Sequence, residues 1–208
     1  MAKKNVVSIK KEEVLQIKVT LRDTSPAVWR RLLVSSQFDF EQLHSVFQHT
    51  MGWQMSHLYD FQVDQVRYAE PDDFDTQTPA ILSTSIGKTL KAGTRFLYNY
   101  DFGDGWRHEC EVENILALTD EMNFPICIGG ENACPPEDCG GAHGYEVFKE
   151  AIKDPTHSEH ASLLMWVGGF FDPLTFDPNV VNRNFLWLID WHSDGDDQGL
   201  YLPNYNQE

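Results

Sequence analysis

The chain has little cysteine, four residues in 208, and few cations, 16 Lys and Arg against 32 Asp and Glu. Four thiols are too few to staple a chain of this size, so the fold must rest on an apolar core and not on a disulfide framework. The cations are also unevenly placed: residues 1–100 carry 12 against 11 acids, whereas residues 101–208 carry 4 against 21. Nucleic acid is bound through Lys and Arg that displace counterions from phosphate, so an acidic second half argues against direct DNA binding. It suits a basic protein partner or a metal, and a merely solubilising acidic surface accounts for the same charge with no partner at all. Long apolar runs are absent too. The longest nearly apolar stretch, Leu163 to Phe171, is far short of a membrane span, and the lysines of MAKKNVVSIKKEEV lead into no apolar segment, so a cytoplasmic protein without a membrane segment is expected. Several chemical signatures are missing as well: there is no H-E-x-x-H, no P-loop and no G-x-S-x-G, and no His is followed three residues later by the Arg a tyrosine recombinase would need. DNA recombination is therefore the least favoured activity.

What is present is a core: 41% of residues are hydrophobic and 12% aromatic. Residues 1–13 read as a basic leader, 14–190 as one domain and 191–208 as an acidic tail. Leu15, Ile17, Val19 and Leu21 alternate on one strand face, Asp23 to Pro26 turns, and Ala27 to Val34 returns, which makes a hairpin whose Arg30 and Arg31 are read as exposed strand residues. Asp39 as N-cap with Gln42 three residues on announces a helix Phe40 to Met51, ended by Gly52, with Leu43, Val46, Phe47 and Met51 inward and His44 and His49 on the surface. A further strand follows between His57 and Val66. The strongest hairpin signal joins Arg95–Tyr100 to Trp106–Leu116 through Asp101-Phe102-Gly103-Asp104-Gly105, and period two places Trp106, His108 and Cys110 inward, opposite Arg107, Glu109 and Glu111. After residue 140 the period becomes helical: one helix through Tyr145, Phe148 and Ile152, a second capped by Thr156 with Leu163, Leu164, Trp166 and Val167 buried, and a third from Asp177-Pro178 through Phe185 toward Leu188. Strands first and helices last indicate an α+β fold, a mainly antiparallel sheet with one inserted helix and three C-terminal helices packed on it.

Cys127 to Tyr145, CIGGENACPPEDCGGAHGY, breaks this pattern. Dense in Gly and Pro, it reads as an irregular loop, neither helix nor strand, whose role is to dock the helix that follows.

Three stretches together resemble the Ri-plasmid ORF-3-like family, some of whose members are labelled TnpR-like passenger proteins of insertion elements: Pro26-Ala27-Val28-Trp29-Arg30-Arg31, Tyr100-Asp101-Phe102-Gly103-Asp104-Gly105-Trp106 with His108, and Cys134-Pro135-Pro136-Glu137-Asp138 with Gly140-Gly141. The resemblance extends from about Leu15 to about Asn184 and closes on Phe171-Asp172-Pro173 and Phe176-Asp177. It implies an α+β fold and a mobile-element association, and it implies no particular reaction. Cys127, Gly130 and Cys134 fit the family pattern, whereas Cys139 fills an open position, so a family-wide metal site would use Cys127 and Cys134.

Three chemistries are open to these residues. Zinc takes about four N or S ligands, and Cys127, Cys134, Cys139 with either His143 or His108 offer them, although their spacing lacks the paired two-residue knuckles of a strong zinc signature; a Cys134–Cys139 disulfide and ordinary packed thiols are the alternatives. Asp101, Asp104 and His108, joined by Glu137 and Asp138 if the loop folds onto the hairpin, are the candidate catalytic set of a metal-dependent hydrolase. Turn chemistry for the aspartates and a core position for His108 compete with that reading. The third is a non-enzymatic binding or accessory module that takes a protein or peptide partner.

Overall fold

The computed structural model describes residues 12–70, 82–118 and 124–186. Glu12–Leu21 (β1) and Val28–Ser35 (β2) form the first hairpin, and the register pairs Leu15 with Val34, Ile17 with Leu32, and Leu21 with Val28. Phe40–Met51 (α1) follows, with the capping box complete: Gln42 N donates to Asp39 Oδ1 at 2.8 Å and Asp39 N donates to Gln42 Oε1 at 3.0 Å. The strand expected between His57 and Val66 is Tyr59–Val63 (β3), and an unanticipated partner, Val66–Ala69 (β4), pairs with it because Asp64 adopts a left-handed φ of 54° and reverses the chain. Ile86–Thr89 (α2) is a single turn; Arg95–Tyr100 (β5) and Trp106–Leu118 (β6) form the anticipated hairpin.

The sheet order is β4-β3-β5-β6-β1-β2, closed by a seventh strand, Ile126–Glu131 (β7), and every pairing is antiparallel. β7 overturns part of the loop reading, since Cys127 lies in a strand. Its two glycines hid it. Gly130 is there because the strand passes so close to β2 that a Cβ would lie 2.6 Å from the Trp29 carbonyl oxygen and 2.8 Å from the Phe176 ring. Asn182 then blunts the outer edge of β7, donating to Cys127 O at 3.0 Å and accepting from Cys127 N at 2.7 Å.

One face of the sheet is covered by α1 and by the C-terminal helices Gly141–Lys153 (α3) and Pro178–Asn184 (α5), while His160–Trp166 (α4) lies against α3. Leu15, Ile17 and Val19 from β1, Phe96, Tyr98 and Tyr100 from β5, and Trp106, His108 and Cys110 from β6 all point into that layer, as alternation requires, while Arg107 and Glu109 face solvent. Arg30 also points inward and is 3% exposed, against the expectation of a surface residue. It shares parity with Val28 and Leu32, so the period of β2 dictates its side. Arg31 takes the outer face and pairs with Glu113, the residue left over by a bulge between β1 and β6. That pairing holds the Arg31 guanidinium above its ordinary range and the Glu113 carboxyl below its own.

Two helical expectations also fail. His44 is 5% exposed because the sheet tyrosines cover it, its ring stacked on Tyr59 at 3.5 Å and its Nδ1 2.7 Å from the Tyr98 hydroxyl, and His49 is half-buried where α5 packs on α1, Asn184 Nδ2 donating to His49 O at 3.3 Å. α4 contributes no buried residue, and Thr156 does not cap it but bonds to Asp154 in a local turn. Asp177 and Pro178 open α5 as expected; Leu188 and the proposed tail lie outside the described residues.

Gly141 starts α3 at φ 68°, and a Cβ there would overlap the Asp104 carbonyl oxygen, whereas Gly52 caps α1 at φ 79° in open space. Left-handed backbone costs a non-glycine residue about 1 to 2 kcal/mol, and overpacking adds about 1 to 3. Gly141→Ala should therefore lower stability in urea denaturation by about 1 to 3 kcal/mol more than Gly52→Ala; equal losses would show that the contact of α3 with the hairpin is dispensable.

Candidate functional site

The site forms where three connections meet at one end of the sheet. The first is the β5–β6 turn. Asp101, at φ 52°, accepts from Gly103 N at 2.9 Å and Asp104 N at 3.3 Å through Oδ1, which is the turn chemistry read from the sequence. Its Oδ2 is left pointing away from the turn, toward the second connection. That is the segment between α1 and β3, tied to the turn by Asp101 N donating to Leu58 O at 3.0 Å.

The third connection, residues 132–140, folds down onto the other two. Trp53 Nε1 donates to Pro135 O at 2.9 Å, and Trp53 itself stacks on Tyr100 with ring centroids 5.2 Å apart. Glu137 accepts from the Tyr100 hydroxyl, from Gln54 N at 2.7 Å and from Ser56 Oγ at 3.3 Å. Gly140 N donates to Asp104 Oδ2 at 3.0 Å. The loop thus presents Asp138, at φ 61°, to His57: Nε2 lies 2.8 Å from Asp138 Oδ1 and 3.7 Å from Asp101 Oδ2. Among the described residues, His57, Asp101 and Asp138 form the one group of three His, Cys, Asp or Glu whose ligand atoms all lie within 4.8 Å of one another. Asp101 is buried, Asp138 exposed and His57 half-exposed, so the group opens to solvent on one side.

Four of the five anticipated catalytic candidates, Asp101, Asp104, Glu137 and Asp138, do come together here. His108 does not. It is fully buried, its ring edge-on to Trp53 at 5.6 Å and its Nδ1 3.2 Å from Tyr98 O. Burial pushes its pKa down to about 4, which suits a neutral core imidazole. The imidazole of the site is His57 instead, 81 residues from Asp138 in the chain, and no periodic or motif signal links the two.

Among the described residues the thiols join no group of three ligand atoms within metal-binding distance. All four cysteines are free: Cys110 sits in the core, Cys127 on β7, Cys134 beneath the loop and Cys139 near the start of α3. Cys134 accepts from Arg30 Nη2 at 3.0 Å and donates to Met51 Sδ at 3.2 Å. Burial raises every one of these thiols above its ordinary pKa, Cys139 to about 12, so they are protonated, packed groups at neutral pH. His143 is exposed on α3.

The family model of plasmid pRiA4b ORF-3-like proteins matches residues 13–180, which takes in every strand and all three connections of the site. The chain belongs to the plasmid pRiA4b ORF-3-like family. It is 38% identical over 161 residues to the uncharacterized protein y4hQ of Sinorhizobium fredii, covering 74% of this chain and 81% of that protein. The crystal structure of the protein of unknown function MM3350 from Methanosarcina mazei Go1 superposes with a TM-score of 0.74 at 31% identity, over 82% of this chain and 98% of that one. For the plasmid pRiA4b ORF-3-like family these relatives establish the fold and leave its chemistry to be argued from the site. No helix among the described residues is long and apolar enough to cross a membrane.

The buried histidines set the acid response. Burial lowers His44 to about 3 and His108 to about 4, below the roughly 6.5 of an unfolded imidazole, so on acidification the unfolded chain takes up protons that the folded chain refuses. Stability should be full above about pH 6.5 and fall from there toward pH 4, by up to about 1.4 kcal/mol per pH unit per group. Urea midpoints at pH 7 and pH 5 measure this, and His44→Gln should flatten the slope; equal stability at both pH values would mean that neither imidazole is held neutral.

Proposed function

We propose that the protein is a non-enzymatic binding module that docks an amphipathic, basic segment of a protein partner on the surface of α4, α5 and their connection. The supporting observation is a concentration of exposed large apolar side chains there: Met165 is 80% exposed, Phe170 77% and Leu174 66%, with Trp166 and Leu186 also open. Soluble proteins rarely leave such residues together without an interaction to serve. The charge around them selects the partner. Asp154, Glu159, Asp172 and Asp177 are exposed over residues 153–186, against two exposed cations, Lys153 and Arg183, so a partner carrying apolar anchors with a basic rim is complementary and an acidic one is repelled.

A panel of amphipathic helical peptides, matched in apolar content but with basic or acidic rims, tests this by fluorescence anisotropy. Basic peptides should bind the wild type, lose at least about tenfold on Phe170→Ser, a change at an exposed position, and weaken with salt. Binding that ignores rim charge, or a Phe170→Ser effect confined to self-association, would overturn the reading, the second result assigning the surface to another copy of the chain.

A second reading, hydrolytic chemistry at the His57 site, is favoured by the meeting of Asp101 and Asp138 around one imidazole. Turnover of model phosphodiesters or esters that disappears in His57→Gln would support it.

A further inference from the structure

The polar groups around His57 are mismatched in number. Nε2 can give one proton to one carboxylate, and Asp138 Oδ1, at 2.8 Å, takes it. Asp101 Oδ2 faces the same nitrogen at 3.7 Å, beyond hydrogen-bond reach, and among the described residues no donor lies within bonding distance of it. The Asp101 side chain is 10% exposed, so this is a carboxylate about nine-tenths buried that directs an oxygen without a hydrogen bond into the site. Its other oxygen is occupied by the turn, which fixes the carboxylate plane and prevents Oδ2 from rotating away. The neighbouring acid, Glu137, offers no proton either, since both its oxygens accept from Tyr100, Ser56 and Gln54. Two carboxylates against one imidazole leave a net negative pocket in which three potential ligand atoms, Nε2 and one oxygen of each aspartate, lie within 4.8 Å of one another.

We propose that His57, Asp101 and Asp138 form a binding site for a first-row divalent cation such as Zn²⁺ or Mn²⁺, with one nitrogen and two carboxylate ligands from the protein. This donor set suits such ions, which accept imidazole and carboxylate together, better than Ca²⁺, which prefers six or more oxygens. Binding would deprotonate Nε2, place the shared proton on Nδ1 or in solvent, and satisfy Asp101 Oδ2. Three protein ligands leave coordination positions for water or a substrate group, so the site deepens the hydrolytic reading and rests on the same convergence. The docking of a partner on α4 and α5 does not depend on it. No cysteine sulfur belongs to this group of ligand atoms among the described residues.

Isothermal titration of Zn²⁺ and Mn²⁺ into chelator-treated full-length protein tests the site. The wild type should take up one equivalent, Asp138→Asn and His57→Gln should each weaken binding by at least about tenfold, and a Cys134→Ser/Cys139→Ser protein should bind as the wild type does. Asp138 has a side chain 65% exposed, so its variant keeps the fold, as circular dichroism would verify. No saturable uptake by the wild type, undiminished uptake by both site variants, or loss in the cysteine variant would each overturn the proposal. Uptake without turnover of model substrates would uphold the cation site and remove the hydrolytic reading.

Discussion

Much of the C-terminal half depends on how Arg30 is buried. Its guanidinium lies in the layer between sheet and helices, where an unsolvated cation is costly, and among the described residues no carboxylate is a hydrogen-bond partner. It is held instead by backbone: Nη1 donates to Trp29 O at 2.7 Å and Glu131 O at 2.8 Å, Nη2 to Asn132 O at 2.8 Å and to Cys134 Sγ at 3.0 Å, with the plane 4.2 Å from the Phe176 ring centroid. Carbonyl oxygens can accept from a guanidinium only if the chain turns them inward. Partnering the two terminal amines of Arg30, whose Nε is left buried without a hydrogen bond among the described residues, therefore ends β7 at Glu131, steers the next residues over the core and anchors the segment that leads into α5. Arginine's rigid fork can serve these diverging acceptors at once, which a lysine could not.

Once the chain has crossed the core at Cys134, its route to the sheet end follows from short polar contacts. Pro135 O takes the Trp53 indole proton, Glu137 takes the Tyr100 hydroxyl, and Gly140 N reaches Asp104. The thiols read from sequence as a knot are one element of this route, not its cause: Cys134 fills space between Arg30 and Met51 while the carboxylates beyond it make the connections to the rest of the site. Burial raises the pKa of the Tyr100 phenol, and its bond to Glu137 raises it further, which keeps the proton on oxygen and the contact intact.

The legible parts of the sequence were those governed by local rules. The α1 capping box, the Asp177-Pro178 start of α5, the β5–β6 hairpin and the inward parity of Trp106, His108 and Cys110 all follow from spacing within a few residues. Arg30 obeys parity as well, although its charge alone argues for the surface. β7 was illegible for a different reason: Gly129 and Gly130 signal a loop, and the strand exists because β2 offers an edge and Phe176 needs the space a side chain would fill. The site was half legible. Asp101 and Asp138 stand in conspicuous motifs, but His57 joins them only through loop closure across the chain, as nothing in its own neighbourhood announces.

How His57 is aimed is itself informative. Met55, two residues earlier, is held at φ 57°, a left-handed conformation that Asp and Asn tolerate but an unbranched apolar side chain adopts at a cost of about 1 kcal/mol or more. It is kept there from both sides. Met55 N donates to Gln48 Oε1 at 3.1 Å, Gln48 is itself fully buried and donates to Tyr98 at 2.8 Å, and Ser56 N donates to the Tyr100 hydroxyl at 3.1 Å. A surface connection serving only to join α1 to β3 could relax this turn. Here the same tyrosine that accepts from Ser56 donates to Glu137, so the turn that orients His57 and the loop that carries Asp138 are fixed by one side chain, Tyr100. The backbone immediately after Tyr100 then places Asp101. All three converging residues are thus positioned by Tyr100 or its immediate neighbours, which is the arrangement expected where geometry at a site matters more than local backbone comfort.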